Sequence, residues 1–230
     1  MTKRVRRKKK STKKRQTNWW VIGGVIVGGL VLVALMSLAF RKPNQLDLVK
    51  YCNNNPENCI VEGAADAPVT IVEVSDYGCP HCKDFNLGTF NLIKEQFIDS
   101  GQVKWVVMPF ALANQFGEAA TLDTAVAGMC AAEQDKFPEF HSAAFSLQGT
   151  ALFNTEAGLM SVAETAGLDT QAFADCLDNN DYEDLIRRNM TAAGSAGISG
   201  TPSFYIGDDL LSGNQPFSIF QPRIESLLNS

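Results

Sequence analysis

Val69-Thr-Ile-Val-Glu-Val-Ser-Asp-Tyr-Gly-Cys-Pro-His-Cys82 is the stretch whose reading decides the fold. Its first six residues are a β-branched run bounded by Pro68 and by the polar, glycine-ended segment Ser75–Gly78, the pattern of a buried strand. Cys79-x-x-Cys82 follows at once. Pro80 suits the first turn of a helix, where no backbone N–H is needed. Phe85, Phe90, Ile93 and Phe97 then recur at near-helical spacing, which predicts a helix to about Ile98.

Downstream, Val103 to Pro109 reads as a second strand. Residues 115–196 are rich in Ala, Leu, Glu and Gln, and predict helices at about 115–135, 137–147, 155–166, 170–178 and 181–194, with Gly167 and Gly194 at helix ends. Pro202–Ile206, the turn Gly207-Asp208-Asp209 and Leu210–Ser212 predict a hairpin, and 216–229 a closing helix. The order is a βαβ half and a ββα half separated by a helical insertion. The expected class is α/β, a small mixed sheet with helices on both faces.

Upstream, the chain changes character. Residues 1–18 carry ten bases and no acid, and Arg41 and Lys42 bring the total to twelve before Asp47. Residues 43–230 therefore hold 8 bases against all 25 acids, a net of −17, which excludes a nucleic-acid-binding role for the main domain because phosphate recognition needs a basic face. Trp19–Phe40 contains no charge and, as a helix, extends about 33 Å, enough for a hydrocarbon core of about 30 Å. This predicts a retained signal-anchor, with residues 1–18 cytoplasmic and the rest outside the membrane. The competing reading is a cleaved signal peptide ending near Ser37-Leu38-Ala39. Both put the main domain where disulfides persist. Residues 41–62, with Pro43, Asn53-Asn54-Asn55 and Pro56, read as a linker, and 63–230 as the domain.

A Cys-x-x-Cys pair between a strand and a helix reads as a dithiol redox centre. Cys79 would stand at the helix N-terminus, where unpaired N–H groups and the helix dipole favour a thiolate. His81, if it donates, would favour it further. Cys82, one turn inward, would be the buried resolving thiol. There is no second pair at zinc spacing, and His141 is the only other histidine, so the expectation is no metal site. No cofactor motif appears. His141 itself, followed by the apolar Ala144 and Phe145, reads as structural.

VTIVEVSDYGCPHC at 69–82, Gly200-Thr201-Pro202, Leu211-Ser212-Gly213 with Gln215-Pro216, and Cys130-Ala131-Ala132-Glu133-Gln134 with Lys136-Phe137 and Phe140-His141 together resemble the DsbA family of thioredoxin-fold thiol-disulfide oxidoreductases, in its membrane-anchored BdbD-like branch. The resemblance covers roughly residues 62–229. It implies that Cys79 is the attacked or nucleophilic cysteine and Cys82 the resolving one, that Pro202 is a cis-proline facing them, and that Thr201 offers backbone pairing to a bound peptide. It implies that Glu73 is a buried acid near the resolving thiol. The dipeptide Pro80-His81 matches strongly oxidising members. The partners implied are reduced exported proteins as substrates and a membrane quinone-linked oxidase, similar to DsbB or a VKOR-like protein, as reoxidant. A reductase or isomerase working from the dithiol is the alternative, and a copper-delivery protein using Cys79, His81 and Cys82 a more distant one.

Six cysteines allow 15 connectivities. Proximity and the motif favour Cys52–Cys59 across a local loop and Cys130–Cys176 between two insertion helices, which leaves Cys79 and Cys82 as the redox pair.

Overall fold

The structure is a computed structural model, which describes residues 46–112, 119–179 and 182–230, together with Gly29. Gln45–Ser230 is one compact unit, distinct from Met1–Asn44. Apart from Gly29, the anchor expected over 19–40 lies outside the described residues, as does the basic segment 1–18. Among the described residues, no helix is long and apolar enough to cross a membrane.

Among the described residues, five strands make one mixed sheet: β1 Ile60–Glu62, β2 Val69–Ser75, β3 Val103–Pro109, β4 Ser203–Ile206 and β5 Asp209–Ser212, in the spatial order β1-β3-β2-β4-β5. β2 and β3 run parallel, with Ile71 opposite Trp105 and Glu73 opposite Val107, and the remaining pairs are antiparallel. The helices are α1 Leu48–Asn54, α2, α3 Ala119–Ala132, α4 Phe137–Leu147, α5 Glu156–Ala166, α6 Thr170–Asn179, α7 Glu183–Ser195 and α8 Phe217–Leu228. α2 is a continuous helical run in which α-turns (Pro80–Asp84, Phe90–Ile93) alternate with π-turns (Phe85–Thr89, Lys94–Ile98).

Strand periodicity explains the two cores. Alternate residues of a strand face opposite sides. Ile71 therefore joins Trp105, Val107, Phe204 and Ile206 on one face, packed under α2, α8 and the insertion helices. Val72 and Val74 join Val106, Met108 and Tyr205 on the other, with Leu48, Ala192 and Ala193 from α1 and α7. A strand buried on both faces needs apolar residues at every position, which is why β2 reads as a run rather than an alternation. Glu73 is the exception: an acid with no exposed surface, on the face of the larger core.

Two expectations are corrected. The stretch assigned to a linker is structured from Leu48 onward: Leu48 is fully buried, Cys52 and Cys59 are nearly so, and β1 extends the sheet beyond β3. The polar tripeptide Asn53–Asn55 concealed a helix only two turns long. Gly194 is the next-to-last residue of α7, in its last turn, but does not terminate it. The terminating residue is Gly197, at φ +82°, after which Ile198 N–H bonds back to the Ala193 carbonyl.

Candidate active site

Cys79 is the N-cap residue of α2, with Pro80 in the first turn. Its carbonyl accepts from the N–H groups of Cys82 (3.1 Å) and Lys83 (3.2 Å), so the sulfur sits at the mouth of the helix, beside the unpaired N–H groups. The turn before it is shaped by Asp76. One carboxylate oxygen accepts from Gly78 N–H and the other from Leu112 N–H, both at 2.6 Å, while the Asp76 carbonyl accepts from Cys79 N–H at 3.0 Å. Gly78 has to be glycine, because a Cβ there would lie 2.5 Å from Thr121 Cγ2 on α3.

The second wall comes from the far end of the chain. The Thr201–Pro202 peptide bond is cis, and Cys79 Sγ donates to the Thr201 carbonyl at 3.2 Å. Thr201 Oγ1 is buried and has no hydrogen-bond partner among the described residues. The insertion closes a third side: Gln148, just after α4, donates to the Tyr77 carbonyl (2.6 Å) and accepts from Lys83 Nζ (2.9 Å).

The two thiols are strongly unequal. Cys79 is partly exposed, and its pKa is lowered to about 5: the Cys82 thiol donates to it, and Thr201 and the backbone N–H groups of Cys82 and His81 help, against the cost of burial. Cys82 has no exposed surface, and burial, reinforced by its bond to Cys79 and the charge there, holds its thiol far above the ordinary range. The pair is thus one stabilised thiolate and one protonated thiol. The expected contribution of His81 comes from its backbone, and its side chain is exposed.

Glu73 lies in the core on β2. It accepts from Asn86 Nδ2 at 2.9 Å and from Trp105 Nε1 at 3.0 Å. Burial raises its pKa, and the bonds from Asn86, Ser75 and Trp105 pull the other way. Asn86 also donates to the Cys82 carbonyl at 3.1 Å, which links the acid to the helix that carries Cys82. The cysteines assigned to bridges are paired: Cys52–Cys59 closes the loop after α1, and Cys130–Cys176 joins α3 to α6. Cys79 and Cys82 are the free thiols. Among the described residues, no group of three or more His, Cys, Asp or Glu is placed to hold a metal ion.

Sequence reasoning missed Asp76 and Asn86. Asp76-x-Gly78 carries the signal of an Asx-turn. Asn86 is a polar residue four positions after Cys82 and four before Phe90, set in the apolar stripe of α2, and a buried amide there needed partners.

Comparison with known proteins supports the same fold. A family model described as thioredoxin matches residues 55–226. The disulfide bond formation protein D of Bacillus subtilis is 28% identical over 171 residues, 73% of this chain and 76% of that one. The crystal structure of oxidised BdbD from Bacillus subtilis superposes with a TM-score of 0.64 at 26% identity, over 76% of this chain and 95% of that one. A thioredoxin-like oxidoreductase from Silicibacter pomeroyi also gives 0.64 at 26% identity, over 75% and 94%.

Proposed function

The chain belongs to the thioredoxin family, and from that premise we propose that it is a DsbA-like thiol-disulfide oxidoreductase that introduces disulfides into exported proteins through Cys79 and Cys82. The observation that carries the reading is the asymmetry of the pair: a partly exposed thiol with its pKa near 5 beside a buried, protonated one. A stabilised thiolate is a good leaving group, which makes the disulfide form a strong oxidant. The similarity to a protein named for disulfide bond formation supports the same direction.

In the forward reaction a substrate thiolate attacks Cys79 Sγ of the Cys79–Cys82 disulfide. The S–S electron pair goes to Cys82, which takes up a proton. A second substrate thiolate then attacks the substrate sulfur of the mixed disulfide, and Cys79 leaves as its stabilised thiolate. The substrate is oxidised by two electrons and the protein is left as the dithiol. Thr201, whose carbonyl already receives the Cys79 thiol, positions substrate backbone beside the sulfur, with Pro202 behind it. Glu73 exchanges the proton of Cys82. Pro80 sets the helix start, and His81 presents its N–H to the thiolate. A quinone-linked membrane oxidase, DsbB- or VKOR-like, restores the disulfide.

The anchor at 19–40 keeps the enzyme at the membrane, with residues 1–18 in the cytoplasm, and 43–230 lie outside. The test is the Cys79–Cys82 reduction potential of the full chain in detergent. A value near −120 mV is expected for an oxidase, and one near −270 mV would make the protein a reductase. Cys79→Ser should abolish oxidation of a reduced, unfolded substrate. After reduction of intact cells, an impermeant thiol reagent should reach Cys79, and failure to reach it in the reduced protein would overturn the topology.

A further inference from the structure

Behind the reactive pair, buried polar side chains form a chain that the reaction above leaves partly unused. Tyr77 Oη lies 2.7 Å from His141 Nδ1, and His141 Nε2 lies 3.1 Å from Asn86 Oδ1. Asn86 Nδ2 bonds both Glu73 Oε1 and the Cys82 carbonyl. No member of the chain is more than 5% exposed. They come from the turn before Cys79, from α4, from α2 and from β2, so one insertion side chain touches both flanks of the Cys79–Cys82 motif.

Valence fixes the protons. Asn86 Nδ2 spends both hydrogens on carbonyl and carboxyl oxygens, so Oδ1 accepts and His141 Nε2 must carry the hydrogen. His141 Nδ1 is then a bare lone pair that accepts from the Tyr77 hydroxyl. The rings of Tyr77, Phe137 and Phe145 pack around the imidazole, with centroids 5.2, 4.7 and 4.8 Å away. This burial pushes the His141 pKa down to about 3, and the ring is neutral at physiological pH.

We infer that His141 is a positioning residue for the thiol chemistry: its Nε2–H locks the Asn86 amide in the one orientation that turns N–H groups toward both Glu73 and the Cys82 carbonyl. The inference rests on Cys79 and Cys82 being the redox pair. Reversed, the amide would set its oxygen against a carboxyl and a carbonyl, leaving acceptors facing acceptors. The other groups around Glu73 are the Trp105 indole N–H, Ser75, the Tyr77 hydroxyl and, across β3, the carboxyl of Glu62. Among these, Asn86 bonds both the acid and the backbone of the resolving cysteine.

The step concerned is disulfide closure. In a mixed disulfide between Cys79 and glutathione, Cys82 gives its proton to the Glu73 carboxylate and its sulfur bonds Cys79 Sγ. The bond to glutathione breaks, and glutathione leaves with the electron pair as a thiolate. An amide N–H held against Glu73 keeps that carboxyl ionisable, and an unlocked amide does not.

The experiment uses the full chain in detergent and separates two rates. Attack of Cys79 on oxidised glutathione is followed by mass spectrometry in a Cys82→Ser background, and closure is followed by acid quench of the preformed mixed disulfide. His141→Phe is expected to slow closure about tenfold or more and to move the acid limb of its pH profile upward. The attack step should stay within about threefold, because it needs Cys79 alone. His141→Gln, whose amide N–H can reach Asn86, should recover most of the closure rate. His141→Phe combined with Asn86→Leu should be no slower than Asn86→Leu alone. Equal slowing of both steps, unchanged closure, or additive effects with Asn86→Leu would overturn the inference. Should His141→Phe not fold, His141→Gln decides: closure near wild type upholds the inference and closure as slow as in Asn86→Leu overturns it. Wild-type protein that forms neither a mixed disulfide nor a Cys79–Cys82 disulfide with oxidised glutathione would instead overturn the redox-pair reading.

Discussion

The sulfur of Cys79 donates to the carbonyl oxygen of Thr201 at 3.2 Å, across 122 positions of sequence. The contact joins the start of α2 to the loop that enters β4, and it brings a second group within reach, the Thr201 hydroxyl. That hydroxyl is buried and has no hydrogen-bond partner among the described residues. It lowers the pKa of both Cys79 and Cys82, so it serves whichever sulfur bears charge.

Thr201→Val keeps the shape and the carbonyl but removes that donor. A hydrogen bond to a charged group contributes about 1.5–3 kcal/mol, and one pKa unit corresponds to about 1.4 kcal/mol. The Cys79 pKa should therefore rise by about one unit, and the disulfide should become less oxidising. Thiolate absorbance near 240 nm, followed against pH, checks this; an unmoved midpoint would remove the hydroxyl from the site.

Wild-type Cys79 should itself titrate near pH 5, where an ordinary thiol does so at about 8.5. Folding lowers this pKa, so the stabilisation of the dithiol form is fully present above the unfolded value and is lost as pH falls through about 5. Alkylation by iodoacetamide should hold its rate from pH 8 down to about 6 and fall only below that. A rate that falls tenfold per unit from pH 8 would contradict the assignment.

Removing a buried acid often stabilises a protein, and Glu73→Leu should do the opposite. It strands two buried donors, Asn86 Nδ2 and Trp105 Nε1. Each unsatisfied donor costs about 1–3 kcal/mol, more than relief of one carboxyl group's burial returns when that carboxyl is already hydrogen-bonded. We expect a net loss of about 2 kcal/mol, read from urea unfolding, with a change in Trp105 fluorescence. Equal or greater stability would show that Glu73 is not the acceptor.

The two bridges should differ in worth. Cys130–Cys176 closes 46 residues and Cys52–Cys59 only 7. In the chain-entropy treatment these give about 4 and about 2.5 kcal/mol. Paired Cys→Ala variants, unfolded with Cys79–Cys82 in one fixed redox state, should show the larger loss for the longer loop.

Much of this was legible in the sequence, and the reasons for the rest are physical. β2, the helix after it and the hairpin at 203–212 announce themselves because long periodic runs and Gly-Asp turns leave local marks. α1 and β1 do not: seven and three residues are too short for a period, and their stability comes from packing Leu48 under the sheet. The cysteines could be paired because proximity and the Cys-x-x-Cys motif favour one of the fifteen connectivities. The roles of Asn86 and His141 could not be read, since each works through a partner 13 to 64 residues away, and such pairings exist only once the chain is folded; Asp76 left only the local mark of its turn with Gly78, not its bond to the Leu112 amide.

The insertion helices share one core with the active-site face of the sheet, since Cys82, Phe85 and Trp105 belong to the same cluster as Phe140, Phe145 and Phe173. The helical block therefore cannot be exchanged as an independent module. A chimera that grafts a relative's residues 119–195 onto this sheet would replace the residue behind Asn86 along with the surface, so redox behaviour would travel with the graft although both cysteines stayed in place. Modularity in this chain follows the contours of packing, and the border drawn by sequence order crosses the site.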